Sequence, residues 1–218
     1  MTDFEKRREE YFDMIRANPQ LLVKLYEKEE NKNAKMLEIM IAPKTERELD
    51  LALAVWIFMD DLYNIAYDIR NNHLKKIDPE ESIAVNYLIQ LVNAFKNNDE
   101  EKVNEIKSYL SKEMDSKEAA KIIYDFMVGF GSNPNGIFDY IMNKCEVDIN
   151  DELSVLKFQM YLGKTTQILN DNNNTIDFST IDINNSDRVT HVIEISKEFH
   201  RLYEEGKSFD GGAYGKRK

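Results

Sequence analysis

Apolar and polar positions recur along the chain with the period of a helix, and hardly anywhere with the alternation of a half-buried strand. Residues 187–205 put Val192, Ile195, Phe199 and Leu202 on one stripe, and residues 79–97 do the same with Ile83, Tyr87, Leu88, Leu91 and Phe95. Between Ala52 and Met59 every face is apolar, which suits a helix enclosed by others and marks 46–72 as the centre of a bundle. Thr2-x-x-Glu5, Thr45-x-x-Glu48, Asp78-Pro79-x-Glu81 and Asp115-x-x-Glu118 read as helix starts. In each, a side-chain oxygen can satisfy an orphan N–H while an acid meets the helix dipole. Asn18-Pro19 and Ala42-Pro43 supply breaks, because the residue before proline is pushed out of the α region. The pattern predicts helices over 3–17, 20–30, 33–41, 46–72, 79–97, 99–113, 116–129, 136–145, 151–170 and 187–205.

The expected fold is all-α, an irregular bundle of about eight to ten helices with an extended C-terminal tail. Its expected organisation is a helical bundle domain over 1–170, an Asn-rich connection over 171–186, a C-terminal helix over 187–206 packed on the bundle, and a Gly-rich basic tail over 207–218. A short extended piece is expected at Ile176–Ile183, a tight loop over Gly129–Gly136, and a helix stop at Gly206. Composition agrees. No glycine precedes Gly129, which is hard to reconcile with hairpins and easy with helices. With 42% hydrophobic residues, including eleven Tyr and eleven Phe, there is ample apolar surface for a core.

One cysteine, Cys145, excludes an internal disulfide and fits a reducing compartment. The opening residues are charged, and the apolar run around Ala52–Met59 falls far short of the ~18 residues a membrane span requires. A cytoplasmic protein without membrane contact is expected. Charge is unevenly placed: residues 207–218 hold Lys207, Lys216, Arg217 and Lys218 against Asp210, a net +3. The other residues hold 25 basic and 39 acidic side chains, a net −14. Such a body argues against a broad nucleic-acid surface and against DNA as a partner.

Candidate chemistry is sparse. Asp60, Asn64 and Asp68 share a helix face beside Asp61, and could present oxygens to one Mg²⁺. This resembles the aspartate-rich motif of isoprenoid diphosphate enzymes in spacing, yet the second metal motif those enzymes need is not in the sequence. Gly163-Lys164-Thr165 lacks the first glycine of a phosphate loop, since Phe158 stands there. Glu9, Glu10 and Asp13 with Glu27 and Glu30 resemble the acidic helices of all-α nucleotide pyrophosphohydrolases, in reversed order. On the last helix His191, Glu194 and Glu198 share a face that His200 does not, so no metal pair forms. Cys145 reads as a small buried hydrophobe. The expectation is a protein with no catalytic residue, no metal, no cofactor and no small-molecule substrate.

The C-terminal segment is the most distinctive. It joins flexible Gly211-Gly212, the rings of Phe209 and Tyr214 that can stack on bases, and Lys216, Arg217 and Lys218 for phosphates. There the chain resembles the ribosome dormancy factors of microsporidia, small proteins that occupy functional centres of idle ribosomes; the Asn- and Lys-rich, Gly-poor composition fits as well. The resemblance implies a non-catalytic factor bound to ribosomal RNA and ribosomal proteins, with Phe209 to Lys218 inserted and translation held inactive. Two other classes stay open: a protein–protein adaptor or structural subunit of viral or plasmid origin, and a Mg²⁺-dependent diphosphate enzyme. An exposed apolar helix face would favour the adaptor, and a second acidic cluster facing Asp60, Asn64 and Asp68 the enzyme.

Overall fold

The computed structural model describes residues 1–23, 34–173, 176, 178 and 181–209. These are helices joined by short connections, with no strand among the described residues. They are α1 (Asp3–Ala17), α2 (Ala34–Ile41), α3 (Glu46–Arg70), α4 (Ile83–Lys96), α5 (Glu100–Ser108), α6 (Ser116–Ser132), α7 (Pro134–Lys144), α8 (Glu152–Asn173) and α9 (Ser186–Phe209). A helical turn at 20–23 precedes α2, and a π-helical turn, Tyr109–Glu113, comes after α5.

The core has two halves sharing α6. On one side α3, α6 and α9 pack together, with α1 and α2 against α3. On the other, α4 packs against α6 and α8, flanked by α5 and α7. The helix apolar on all faces is central, as its sequence predicts: Leu49, Ala52, Val55 and Ile65 of α3 are fully buried, and Trp56 and Phe58 nearly so. Phe199 of α9 closes on it, its ring 4.8 Å from that of Phe58. The Tyr11 hydroxyl donates to the Met40 carbonyl at 2.7 Å and ties α1 to α2.

Starts and stops show where the pattern was sufficient. Thr2 and Glu5 form the full reciprocal box. The Thr45 and Asp115 oxygens accept from Glu48 N and Glu118 N, but the Glu118 carboxylate turns instead to the hydroxyls of Tyr87 and Tyr109. Asp78 starts no helix. It closes a turn with Glu80 and Glu81, and the cap of α4 is Ser82, whose Oγ accepts from Val85 N.

The glycine-rich stretch is a correction. α6 runs through Gly129 and Gly131 to Ser132, and α7 begins at Pro134, leaving Asn133 alone as the corner. These glycines serve close packing. A Cβ on Gly129 would meet Ile137 at 3.2 Å, and one on Gly131 would meet Ile69 at 2.7 Å. Gly206 likewise ends nothing: α9 continues past it to Phe209, and a Cβ there would collide with the Tyr124 hydroxyl. Where described, Ile176 and Phe178 take 3₁₀ backbone, not an extended one. α8 runs to Asn173, three residues past its expected end.

A chain this poor in glycine ends its helices with other residues in the left-handed region. Asn72, Asn98 and Glu146 have φ of 56°, 53° and 50°, each one position past a helix cap. Each sits in a paired closing motif, such as His73 N to Asp68 O at 2.9 Å with Asn72 N to Ile69 O at 3.1 Å. Asparagine adopts this backbone at small cost and glutamate at a larger one. Replacing Glu146 with Gly is therefore expected to raise stability by about 1 kcal/mol in a urea titration. A loss would show that the Glu146 side chain holds that corner.

Candidate functional site

Two buried carboxylates and a groove bearing three lysines mark one end of the bundle. There the second half of α3, the last turns of α9 and the 71–82 connection meet. α3 turns Asp61 and Asp68, seven residues and two helical turns apart, toward α9. Asp61, 3% exposed, lies 2.7 Å from Nδ1 of the half-exposed His200. Asp68, also 3% exposed, accepts from the Tyr203 hydroxyl at 2.9 Å. Lys207 lies over the Tyr203 ring, 4.0 Å from its centroid, and pairs with Glu204 at 3.0 Å. Burial and the Asp68 acceptor both push the Tyr203 hydroxyl up, so it stays a donor.

Below these contacts lies a groove of about 740 Å³, with Lys75, Lys76, Lys121 and the Tyr124 ring on its walls. Asp78, Glu81 and Glu205 line it too, so three cations face three carboxylates. Gly206 forms part of the floor. Lys121 is held at 2.9 Å by Asp125, which is fully enclosed and also accepts from Ile83 N at 2.8 Å. On a chain of net charge −11 this mixed groove stands out for its lysines.

The proposed Mg²⁺ ligands are not brought together. Asp60 and Asn64 bond to each other at 3.2 Å while Asp68 faces Tyr203. Among the described residues, no group of three or more His, Cys, Asp or Glu side chains is arranged to hold a metal ion. Glu9 and Asp13 are taken up by Arg16, and Glu27 and Glu30 lie outside the described residues. Gly163, Lys164 and Thr165 are in mid-helix, with the Thr165 hydroxyl donating to Leu162 O at 2.8 Å. On α9, Glu198 is bound by Arg201, which holds its carboxyl low, and burial pushes the His191 imidazole down. Burial also pushes the Cys145 thiol up to about 11, which suits a core residue and not a nucleophile.

His200 with Asp61 has the form of a base and its orienting acid. The neighbouring hydroxyl one turn away, Ser196, is 1% exposed and its Oγ has no partner, so it cannot meet a substrate from solvent. The pair fastens α9 to α3. No family model, curated protein or solved structure matches the chain. The site rests on its own geometry.

Of the segment 207–218, Lys207 to Phe209 belong to α9, and Lys207 is already engaged with Tyr203 and Glu204. Gly211, Gly212, Tyr214, Lys216, Arg217 and Lys218 lie outside the described residues. The pairs 61–200 and 68–203 span well over a hundred positions, and nothing local in the sequence signals them.

Burial pushes the Asp61 carboxyl up to about 6, against the opposing pull of His200. Its folded value thus exceeds the unfolded value, so the folded state binds the proton more tightly. The resulting stabilisation is present below about pH 4 and is lost as pH rises through about 6, amounting to about 2–3 kcal/mol. Asp61→Asn should therefore gain stability relative to the parent as pH rises from about 4 to 7. A difference constant across that window in urea titrations would contradict the buried carboxylate.

Proposed function

We propose that this protein is a non-catalytic, cytoplasmic factor that docks on a large ribonucleoprotein, the ribosome above all, and inserts residues 210–218 into an RNA-walled cavity to hold translation inactive. The observation that carries this reading is charge segregation. Lys216, Arg217 and Lys218, beside Gly211-Gly212 and Tyr214, stand at the end of a chain whose remainder is strongly acidic. An acidic body avoids non-specific RNA binding, whereas a short Gly-rich basic segment can enter a narrow channel.

The geometry around the last helix supports the same reading. α9 is fixed to α3 through His200 and Tyr203 and to α6 through the Gly206–Tyr124 approach, so it is a firm root for residues 210–218. The test is affinity isolation of the native complex at low salt, with ribosomal RNA as the expected co-purifying species. Recovery of proteins alone would favour the second reading.

That second reading is a protein–protein adaptor, and one observation favours it: Ile149, Leu153, Leu156 and Met160 are large, apolar and exposed around the start of α8. No comparable observation favours the enzyme. Asp60 and Asn64 bond to each other and Asp68 to Tyr203, and none of the three lines the lysine-bearing groove.

A further inference from the structure

We propose that two copies of this chain associate side by side, in parallel, through the outward crest of α8. The helix buries Phe158, Thr165, Ile168 and Leu169 against the bundle. At 100° per residue these four centre on one direction, and Leu153, Leu156 and Met160 on the roughly opposite one, while Ile149 lies in the turn that precedes the helix. Leu153, Leu156 and Met160 are 56%, 53% and 55% exposed, and Ile149 beside them 71%. An outward face of a helix is ordinarily polar, and this one is not.

The spacing of the row is specific. Steps of three and four residues fit the a and d positions of a heptad, with Leu153 and Met160 at a and Leu156 at d. That places Glu152 and Gln159 on one flank, at g, and Lys157 and Lys164 on the other, at e. In a parallel pair each g residue faces the e residue five positions on in the other copy. Glu152 of each copy then meets Lys157 of the other, twice by symmetry. An antiparallel pair would set the lysine flanks against one another. The crest is thus complementary to itself in one orientation, which points to a second copy as its occupant.

The row also has an end. The next d position is Gly163, where an added Cβ would have no neighbour within 4 Å, and the next a position is Gln167. Three apolar side chains of the helix per copy, with Ile149 beside them, make a contact smaller than the ~800 Å² per partner of a standard interface. The dimer is accordingly reversible, forming in the range of tens of micromolar, roughly 6 kcal/mol of association free energy. It stands apart from the ribosome reading and would hold whether or not residues 210–218 bind RNA.

Sedimentation of the full chain from about 5 to 500 µM tests this. A monomer that shifts to a dimer across the range is expected. Leu156→Glu with Met160→Glu should weaken association at least tenfold, while circular dichroism and melting stay unchanged because both positions are exposed. Glu152→Lys should weaken it as well, and adding Lys157→Glu should restore it. Met160→Cys should form a disulfide-linked dimer, since a parallel seam sets each a position against its own copy; Cys145 is buried and out of reach. A chain that stays monomeric throughout leaves the crest to a different protein and overturns the proposal. So does a dimer indifferent to Leu156→Glu and Met160→Glu. Failure of the charge exchange to restore association would overturn the parallel register.

Discussion

Replacing Phe199 with alanine is expected to cost about 3–5 kcal/mol of folding stability. Its ring is fully buried and lies 4.8 Å from Phe58, which in turn approaches Phe178 edge-on at 6.2 Å. The stack joins α9 to α3 at the middle of the trio α3, α6 and α9, where neighbouring helices cannot all close the gap that removal leaves. Lost transfer energy and a residual cavity therefore add. Phe58→Ala and Trp56→Ala, at 6% and 3% exposure, should fall in the same range. Because Phe58 and Phe199 touch, the double variant should lose less than the sum of the two. Urea midpoints of the three chains measure this. Losses below about 1 kcal/mol at Phe58 and Phe199 would remove α3 from the centre of the bundle.

Asp125→Ala is the second large effect, expected at about 2–3 kcal/mol. The carboxylate is sealed inside the protein. It accepts from Lys121 Nζ at 2.9 Å and from Ile83 N at 2.8 Å, so it both pairs a charge and satisfies an orphan donor at the start of α4. Removing it strands that N–H and frees Lys121, whose side chain is 37% exposed and can return to water. The loss is thus smaller than for a pair buried at both ends. Asp125→Asn keeps an acceptor for Ile83 N and should cost about half as much. Equal losses in the two variants would show that charge alone matters.

Much of the fold was legible because helices declare themselves locally. The stripe of Val192, Ile195 and Phe199 and the caps at Thr2, Thr45 and Asp115 depend on residues within a few positions, and all are found where the pattern puts them. The glycines misled for one physical reason. Glycine both ends helices and lets them approach, and only the partner decides which. Gly131 faces Ile69 and Gly206 faces Tyr124, each partner tens of residues away or more. The carboxylates of α3 were legible as a cluster but not as fasteners, since His200 and Tyr203 arrive from the other end of the chain. The crest of α8 was within reach: the three-four spacing of Leu153, Leu156 and Met160 stands in the sequence, but its exposure depends on which face the bundle covers.

Docking of the body on ribosomal particles, with residues 210–218 bound to RNA there, is the core of the functional proposal. Each phosphate contact releases counterion, so the segment's cations should make binding salt-dependent, and stacking of Tyr214 on a base is worth about 1–3 kcal/mol. The decisive measurement is sedimentation of the full chain and of a chain ending at Phe209 with ribosomes on sucrose gradients, at low and at physiological salt. The contacts that fix α9 to the bundle are made by residues before Phe209 (Phe199, His200, Tyr203 and Gly206 among them), so the shortened chain should keep its helical circular dichroism spectrum. The full chain is expected to travel with the particles at low salt and to release as salt rises; the shortened chain should bind more weakly, with a flatter salt dependence. If neither chain travels with the particles, or both do so equally at both salts, the proposal is contradicted.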